Sequence, residues 1–261
     1  MWLWGEHELA SANQPIPQGE ELQPSQSVSS GYVQLDGTQS QSESTRLRAA
    51  WQSEDLPARQ RKLVDQQVAR YRAGKPVDVF DTLVMALRDL PLPAGNATVL
   101  EVGCSSGFYS DVLAIARLNL SYSGCDYSSP FVAMAREKYP NLDFRVEDAT
   151  SLNYGDSAYD VVVSGCCLLH IPEYAQAVRE TARVARQFAI FHRTPVVLGE
   201  PNRYYRKQAY GVETVEIHFN EPDFLALLSS CGLQLLATLT LDEDVRNGVG
   251  AATRTYVCKK I

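Results

Sequence analysis

Residues 98–114 read TVLEVGCSSGFYSDVLA. The β-branched run at the start has the pattern of a buried strand, and helix formers fill the end. Between them stand Glu101, Gly103, Cys104, Ser105, Ser106 and Gly107. This is a strand running through a tight turn into a helix. Gly103 and Gly107 let backbone come close to a ligand where a Cβ would collide. The helix start beyond them offers unpaired N–H groups. A dinucleotide fingerprint needs G-x-G-x-x-G, and here the middle position is Ser105. Glu101, just ahead of the glycines, repels a pyrophosphate and attracts a cation. An NAD-dependent oxidoreductase is therefore disfavoured, and a cationic ligand is expected.

Downstream, strands and helices alternate. SYSGCDY, LDFRV, YDVVVSG and QFAIFHR read as strands, separated by helical segments such as SPFVAMAREKY and PEYAQAVRETARVA. GLQLLATLTL and TRTYVCK read as two last strands with no helix between them, which predicts antiparallel pairing. The pattern predicts an α/β, Rossmann-like, mostly parallel seven-stranded sheet with helices on both faces and its last strand antiparallel. Ligands in such sheets sit at the carboxyl ends of the strands. Asp126 ends the second strand of the series, about 20 residues past the loop, where these folds place an acid on ribose hydroxyls. Asp148 follows the third strand. Three acids at three successive strand ends form a specific arrangement.

The 261 residues divide into three parts on this reading. Residues 1–50 are rich in Gln, Ser, Pro and Glu and form a polar, flexible arm. Two readings stay open for it: a tail, or a lid ordering over a ligand, with Trp2, Trp4 and Tyr32 as anchors. Residues 51–94 form a helical N-terminal extension. Val64, Val68 and Tyr71 share one helix face, and Phe80, Leu83, Leu87 and Leu90 another. Residues 95–261 carry the α/β domain. The net charge of −7 argues against broad attraction to nucleic acid or anionic lipid. No run approaches the roughly 20 apolar residues of a membrane helix. Six cysteines without a C-x-x-C spacing lead us to expect no metal site and a reduced, cytoplasmic chain.

These motifs resemble the class I S-adenosylmethionine (SAM)-dependent methyltransferases over roughly residues 95–260. VLEVGCSSG (99–107) is similar to that family's glycine-rich motif, with Ser105 for the middle glycine. CDYS (125–128) is similar to its second, acidic motif, and VEDATSL (146–152) to its adenine-binding segment. YDVVVSGCCLLHIPEYAQAVRETARVA (159–185) is similar to its fourth strand and following helix. RVARQFAIF (183–191) lacks the Pro-Gly-Gly turn of many relatives. The resemblance implies SAM as cofactor. Glu101 would fix the methionine ammonium, and the Gly103–Gly107 loop, with Cys104 and Ser105, would pass along methionine and ribose. Asp126 would hold the ribose hydroxyls, with Tyr127 against adenine. Asp148 would accept the adenine amino group beside Ala149, and Ser164 and Gly165 would border the sulfonium.

Methyl transfer to oxygen or nitrogen also removes a proton from the acceptor, and a positioned base speeds this by about 10²–10⁴-fold. His170 after the fourth strand and His192 at the end of the fifth are the candidate bases. The segment 192–221, HRTPVVLGEPNRYYRKQAYGVETVEIHFNE, is basic and aromatic. Arg193, Arg203, Tyr205, Arg206 and Tyr210 are its candidate acceptor-binding residues, suited to an anionic, sugar-like or phenolic small molecule. The expected activity is methyl transfer to a small molecule, on oxygen first. The rival is a catalytically weak SAM-binding partner subunit.

Overall fold

A computed structural model describes residues 29–36, 40–92, 95, 97–246 and 249–261; Trp2 and Trp4 lie outside them. The described chain begins with β1 (Ser29–Leu35), α1 (Ser40–Arg48), a 3-10 turn (Ala49–Gln52), α2 (Leu56–Arg72) and α3 (Asp78–Arg88). There follow β2 (Ala97–Val102), α4 (Tyr109–Ile115), β3 (Leu120–Asp126), α5 (Ser129–Lys138), β4 (Asp143–Val146) and β5 (Tyr159–Gly165). A 3-10 turn (Leu168–His170), α6 (Tyr174–Val184), β6 (Ala185–Leu198), β7 (Arg203–Ala209) and β8 (Val212–Asn220) come next. The chain ends with α7 (Glu221–Ser230), β9 (Leu233–Arg246) and β10 (Val249–Lys260).

The seven expected strands lie in the order β4-β3-β2-β5-β6-β10-β9. β2 pairs parallel with β3 and β5, and β5 parallel with β6. β10 runs antiparallel to both β6 and β9. Alternation along the strands sends side chains to two separate cores. Leu100, Val162, Ala189 and Phe191 pack under α6 and α7, against Ala177, Val178, Phe224 and Leu228. Val99, Val161, Val163 and Ile190 pack under α2, α3 and α4, against Val64, Phe80, Leu83 and Val112. Each such fully buried aliphatic or aromatic side chain contributes about 1.5–3 kcal/mol. α7 starts as the sequence signals: Asn220 accepts the Asp223 N–H at 2.9 Å, and Gly232 just beyond its end has φ +73°.

The sheet carries more than seven strands. β1, β7 and β8 form an antiparallel ribbon, joined to the main sheet where β8 pairs with the far end of β6 at Val196 and Val197. Within the segment 192–221, read as carrying the acceptor-binding residues, β7 and β8 thus form a hairpin. Part of the polar arm also has regular structure. β1 pairs with β7 around a bulge at Gly31, whose φ is +64°. Residues 30–34 are exposed and Leu35 is buried, so no period-2 pattern marks the strand, and backbone pairing holds it. α1 is anchored by Ser44 and Leu47, 0% and 2% exposed. Leu47→Ala is therefore expected to destabilise the protein by about 2–5 kcal/mol in urea unfolding. A loosely attached arm would show no change.

Candidate active site

Gly103 N–H and Cys104 N–H both donate to the Cys125 carbonyl, at 2.8 and 3.0 Å, which staples the loop after β2 to the end of β3. The Ser105 N–H donates to Asp126 Oδ2 at 2.8 Å, and the Ser128 N–H donates to Oδ1 at 2.9 Å. Asp126 thus brackets two turns, beyond the ribose contact expected of it. Its carboxyl is pushed up by burial, against the pull of those amides. Two lone-pair positions per oxygen leave capacity for further donors. Ser105 adopts φ +52°, the left-handed region that glycine would fill at no steric cost, and its hydroxyl donates to Gln60 Oε1.

Glu101, 2% exposed, accepts the Tyr122 hydroxyl on Oε2. Burial raises its carboxyl to about 8, although the Tyr122 hydrogen bond lowers it. A Cβ at Gly165 would collide with Oε1, so the bare glycine leaves that oxygen room. The two loop glycines have other reasons to be glycine. A Cβ at Gly103 would strike Cys167, and one at Gly107 would strike the Phe144 ring at 2.6 Å. Gly107 serves the packing of the turn against β4, and Cys104, fully buried, fills the core beside Gly124.

These groups open on one cavity of about 480 Å³, inside the usual range for ligand clefts. Glu101, Gly103, Ser105, Asp126, Tyr127, Ala149 and Gly165 line it, and so do His170, Arg193 and Tyr210. Cys104, Gly107, Asp148, Ser164, His192, Arg203, Tyr205 and Arg206 do not. Asp148 pairs with Arg48 of α1 at 2.6 Å. Burial works against its charge, but the Thr150 amide and hydroxyl and Arg48 hold its carboxyl below the usual range. Arg48 also lies over the Tyr127 ring, 4.4 Å from its centre. Ser164 is buried with its hydroxyl 3.3 Å from the Cys167 thiol.

The two histidines differ sharply. His192 is 1% exposed, with Nε2 on the Tyr109 hydroxyl at 3.0 Å and Nδ1 on the Thr255 hydroxyl at 2.9 Å. Both ring nitrogens are occupied, so it is no base for a substrate. His170 places Nδ1 2.5 Å from the Val215 carbonyl, which fixes the proton on Nδ1 and leaves Nε2 as an acceptor. Burial and the nearby Lys207 charge lower its pKa to about 4, so it is neutral at physiological pH. Of the ribbon's basic residues, Arg203 lies by Glu200 and Arg206 by Glu213, at 3.9 and 3.6 Å, and the Tyr205 ring packs at a tilt against His218. The alternation of β7 instead brings Lys207 to the cavity, paired with Glu216.

Residues 100–191 match the family described as Methyltransferase domain. This part of the chain is a class I SAM-dependent methyltransferase domain. A probable SAM-dependent methyltransferase of Mycolicibacterium smegmatis is 31% identical over 158 residues, 59% of this chain and 57% of that protein. The chain thus spans a little over half of that relative's length. Among solved structures, a SAM-dependent methyltransferase from Clostridium acetobutylicum aligns with TM-score 0.53 at 13% identity, covering 70% of this chain and 91% of that one. A Burkholderia thailandensis 1,6-didemethyltoxoflavin N1-methyltransferase, holding that substrate and S-adenosylhomocysteine, aligns with TM-score 0.50 at 16% identity, over 76% and 87%. Both structural likenesses bear on the fold.

Sequence reasoning missed several residues that line this cavity: Arg48, Trp51, Gln60, Tyr109 and Glu216. Trp51 donates its indole N–H to Thr214 at 3.0 Å and packs 4.7 Å from the His170 ring. A lone tryptophan between polar segments was the available signal.

Because the Glu101 carboxyl is raised, the folded form holds a proton between about pH 4.5 and 8 that the unfolded chain has released. Stability of the ligand-free methyltransferase domain should therefore fall as pH rises through this window. Each tenfold change in acidity corresponds to about 1.4 kcal/mol. Glu101→Gln should flatten the melting temperature against pH and melt above wild type at pH 8. A wild-type curve with no such slope would contradict the buried, protonated carboxyl.

Proposed function

We propose that this chain transfers a methyl group from SAM to a small-molecule acceptor, on an oxygen atom. One observation carries the reading: a single cavity joins the glycine loop and its carboxylates to His170, Arg193 and Tyr210. The residues fit the cofactor. Glu101 Oε1, left room by Gly165, suits an ammonium group, and the spare lone pairs of Asp126 suit two ribose hydroxyls. Tyr127 and Ala149 offer a flat, partly apolar surface for adenine. Asp148, bound to Arg48, is one step removed and acts by holding Arg48 over Tyr127. When bound, SAM supplies an electrophilic methyl on a sulfonium, open to in-line displacement.

The chain's own residues then align and desolvate the acceptor. Trp51, Tyr109 and Tyr210 exclude water from it. His170, with its Nδ1 proton fixed, offers Nε2 to the acceptor's hydroxyl proton. Arg193 beside the acceptor stabilises the negative charge that develops on a hydroxyl as it loses its proton, which suits an oxygen acceptor. The substrate bound in the Burkholderia neighbour is likewise a small molecule. The six free cysteines accord with a reducing, cytoplasmic setting.

Calorimetric titration with SAM and S-adenosylhomocysteine tests the cofactor half. Asp126→Asn keeps one oxygen for the two amides and removes the charge. It should weaken both ligands by roughly 1.5–3 kcal/mol, with a modest loss of thermal stability. Unchanged affinity would sink the assignment.

His170→Ala should lower kcat and leave cofactor affinity unchanged. Activity should partly return at high pH as the acceptor ionises unaided. The wild-type rate should show no inflection near pH 6.5 from this histidine, since its pKa lies near 4. An His170→Ala enzyme with wild-type kcat would remove the histidine from the mechanism.

A further inference from the structure

β6 is irregular where it passes the cavity. Phe191 pairs with Tyr256 and Thr194 with Arg254, so His192 and Arg193 together oppose Thr255. At this bulge Arg193 takes φ +58°, a left-handed conformation that disfavours a residue with a Cβ. The bulge is braced from within. The Thr255 hydroxyl meets His192 Nδ1 at 2.9 Å and accepts the Arg193 N–H at 3.4 Å, while His192 Nε2 meets Tyr109. Strain held by a buried hydrogen-bond network marks a side chain being aimed. Here the aimed side chain is Arg193, which lines the cavity.

The Arg193 guanidinium has phenols and a thiol as neighbours, Tyr109, Tyr210 and Cys166. No carboxylate among the described residues pairs with it. Several other titratable groups near this end of the cavity add no net charge. Glu216 neutralises Lys207, Glu101 is protonated at neutral pH, and His170 is uncharged. Asp242 also lines the cavity and forms no ion pair with Arg193. A desolvated cation without a counter-charge is costly, and an anion arriving as ligand relieves that cost.

We infer that the acceptor is a hydroxy-carboxylic acid whose carboxylate is held in the fork of Arg193, with its hydroxyl left for methylation. One uncompensated positive charge matches a monoanion, and the planar guanidinium matches a carboxylate with two parallel hydrogen bonds. The aromatic walls, Trp51, Phe108, Tyr109 and Tyr210, suit a flat acceptor body. His192 is a positioning residue for Arg193. This assignment rests on the reading of the cavity as a methyl-transfer site.

The probes are 4-hydroxybenzoate and its neutral amide, 4-hydroxybenzamide, titrated into the full chain saturated with S-adenosylhomocysteine. Wild type should bind the carboxylate at least tenfold more tightly than the amide. Arg193→Gln should abolish that preference while S-adenosylhomocysteine affinity stays unchanged, and Arg193→Lys should keep part of it. Equal binding of the two probes by wild type would overturn the inference. So would a preference that survives in Arg193→Gln. If Arg193→Gln fails to fold, the wild-type comparison and Arg193→Lys still decide it. Titration of S-adenosylhomocysteine alone separates the two readings, because loss of its binding overturns the cofactor assignment whatever the carboxylate result.

Discussion

The Asp126 carboxylate receives two backbone amides from two different turns, Ser105 after β2 and Ser128 before α5. This pair of hydrogen bonds, with the Cys125 carbonyl that accepts from Gly103 and Cys104, closes the ends of β2 and β3 into one rigid edge. The loop cannot relax without leaving charge-assisted bonds unmade in a buried place, which costs about 1–3 kcal/mol for each group. That constraint permits Ser105 to hold a left-handed backbone and keeps Gly103 pressed on Cys167. It also fixes where Glu101 stands relative to Gly165. The cofactor end of the cavity is therefore preformed by backbone geometry, with few mobile side chains.

The other end is built differently. β6 runs past the sheet to Leu198, and its free edge there takes on β8 and, through it, β7 and β1. The ribbon contributes Lys207 and Glu216 to the cavity, and the 3-10 turn before α2 contributes Trp51. Tyr32 of β1 lines the same cavity, and its hydroxyl lies 3.4 Å from Glu216. The acceptor end thus depends on contacts between residues more than 100 positions apart.

That difference explains what the sequence disclosed. The seven-stranded sheet was legible because central strands carry short β-branched apolar runs, as in Val161–Val163, and the helices between them carry apolar stripes. The loop acids were legible because their order follows the strand order. β1 was hidden, since residues 30–34 are exposed and its partner lies some 170 residues away. The choice of Lys207 over Arg206 was hidden as well, because it turns on the register of β7 against β8. Spacing alone could not separate His170 from His192. Both follow strand ends, and only the hydrogen bonds on each ring nitrogen tell them apart. The glycines misled in part: Gly107 is required by Phe144 rather than by a ligand.

Charge then orders the cavity as a whole. The acidic groups gather at the ends of the first strands, Asp126 after β3 and Glu147 after β4, with Glu101 on β2 protonated until a cation arrives beside it. The one guanidinium without a carboxylate partner among the described cavity residues sits on β6. A cationic ligand and an anionic one can each be bound here in only one arrangement without setting like charges together. Lys207 would blur that polarity were it not matched by Glu216, whose carboxyl is held at about 2 by the His218 hydrogen bond and the Lys207 charge despite its burial. The pair adds polar contacts to the wall without adding net charge. Orientation of the two ligands therefore follows from where opposite charges are left uncompensated, and the buried Glu216–Lys207 pair keeps Arg193 as the feature that distinguishes one end from the other.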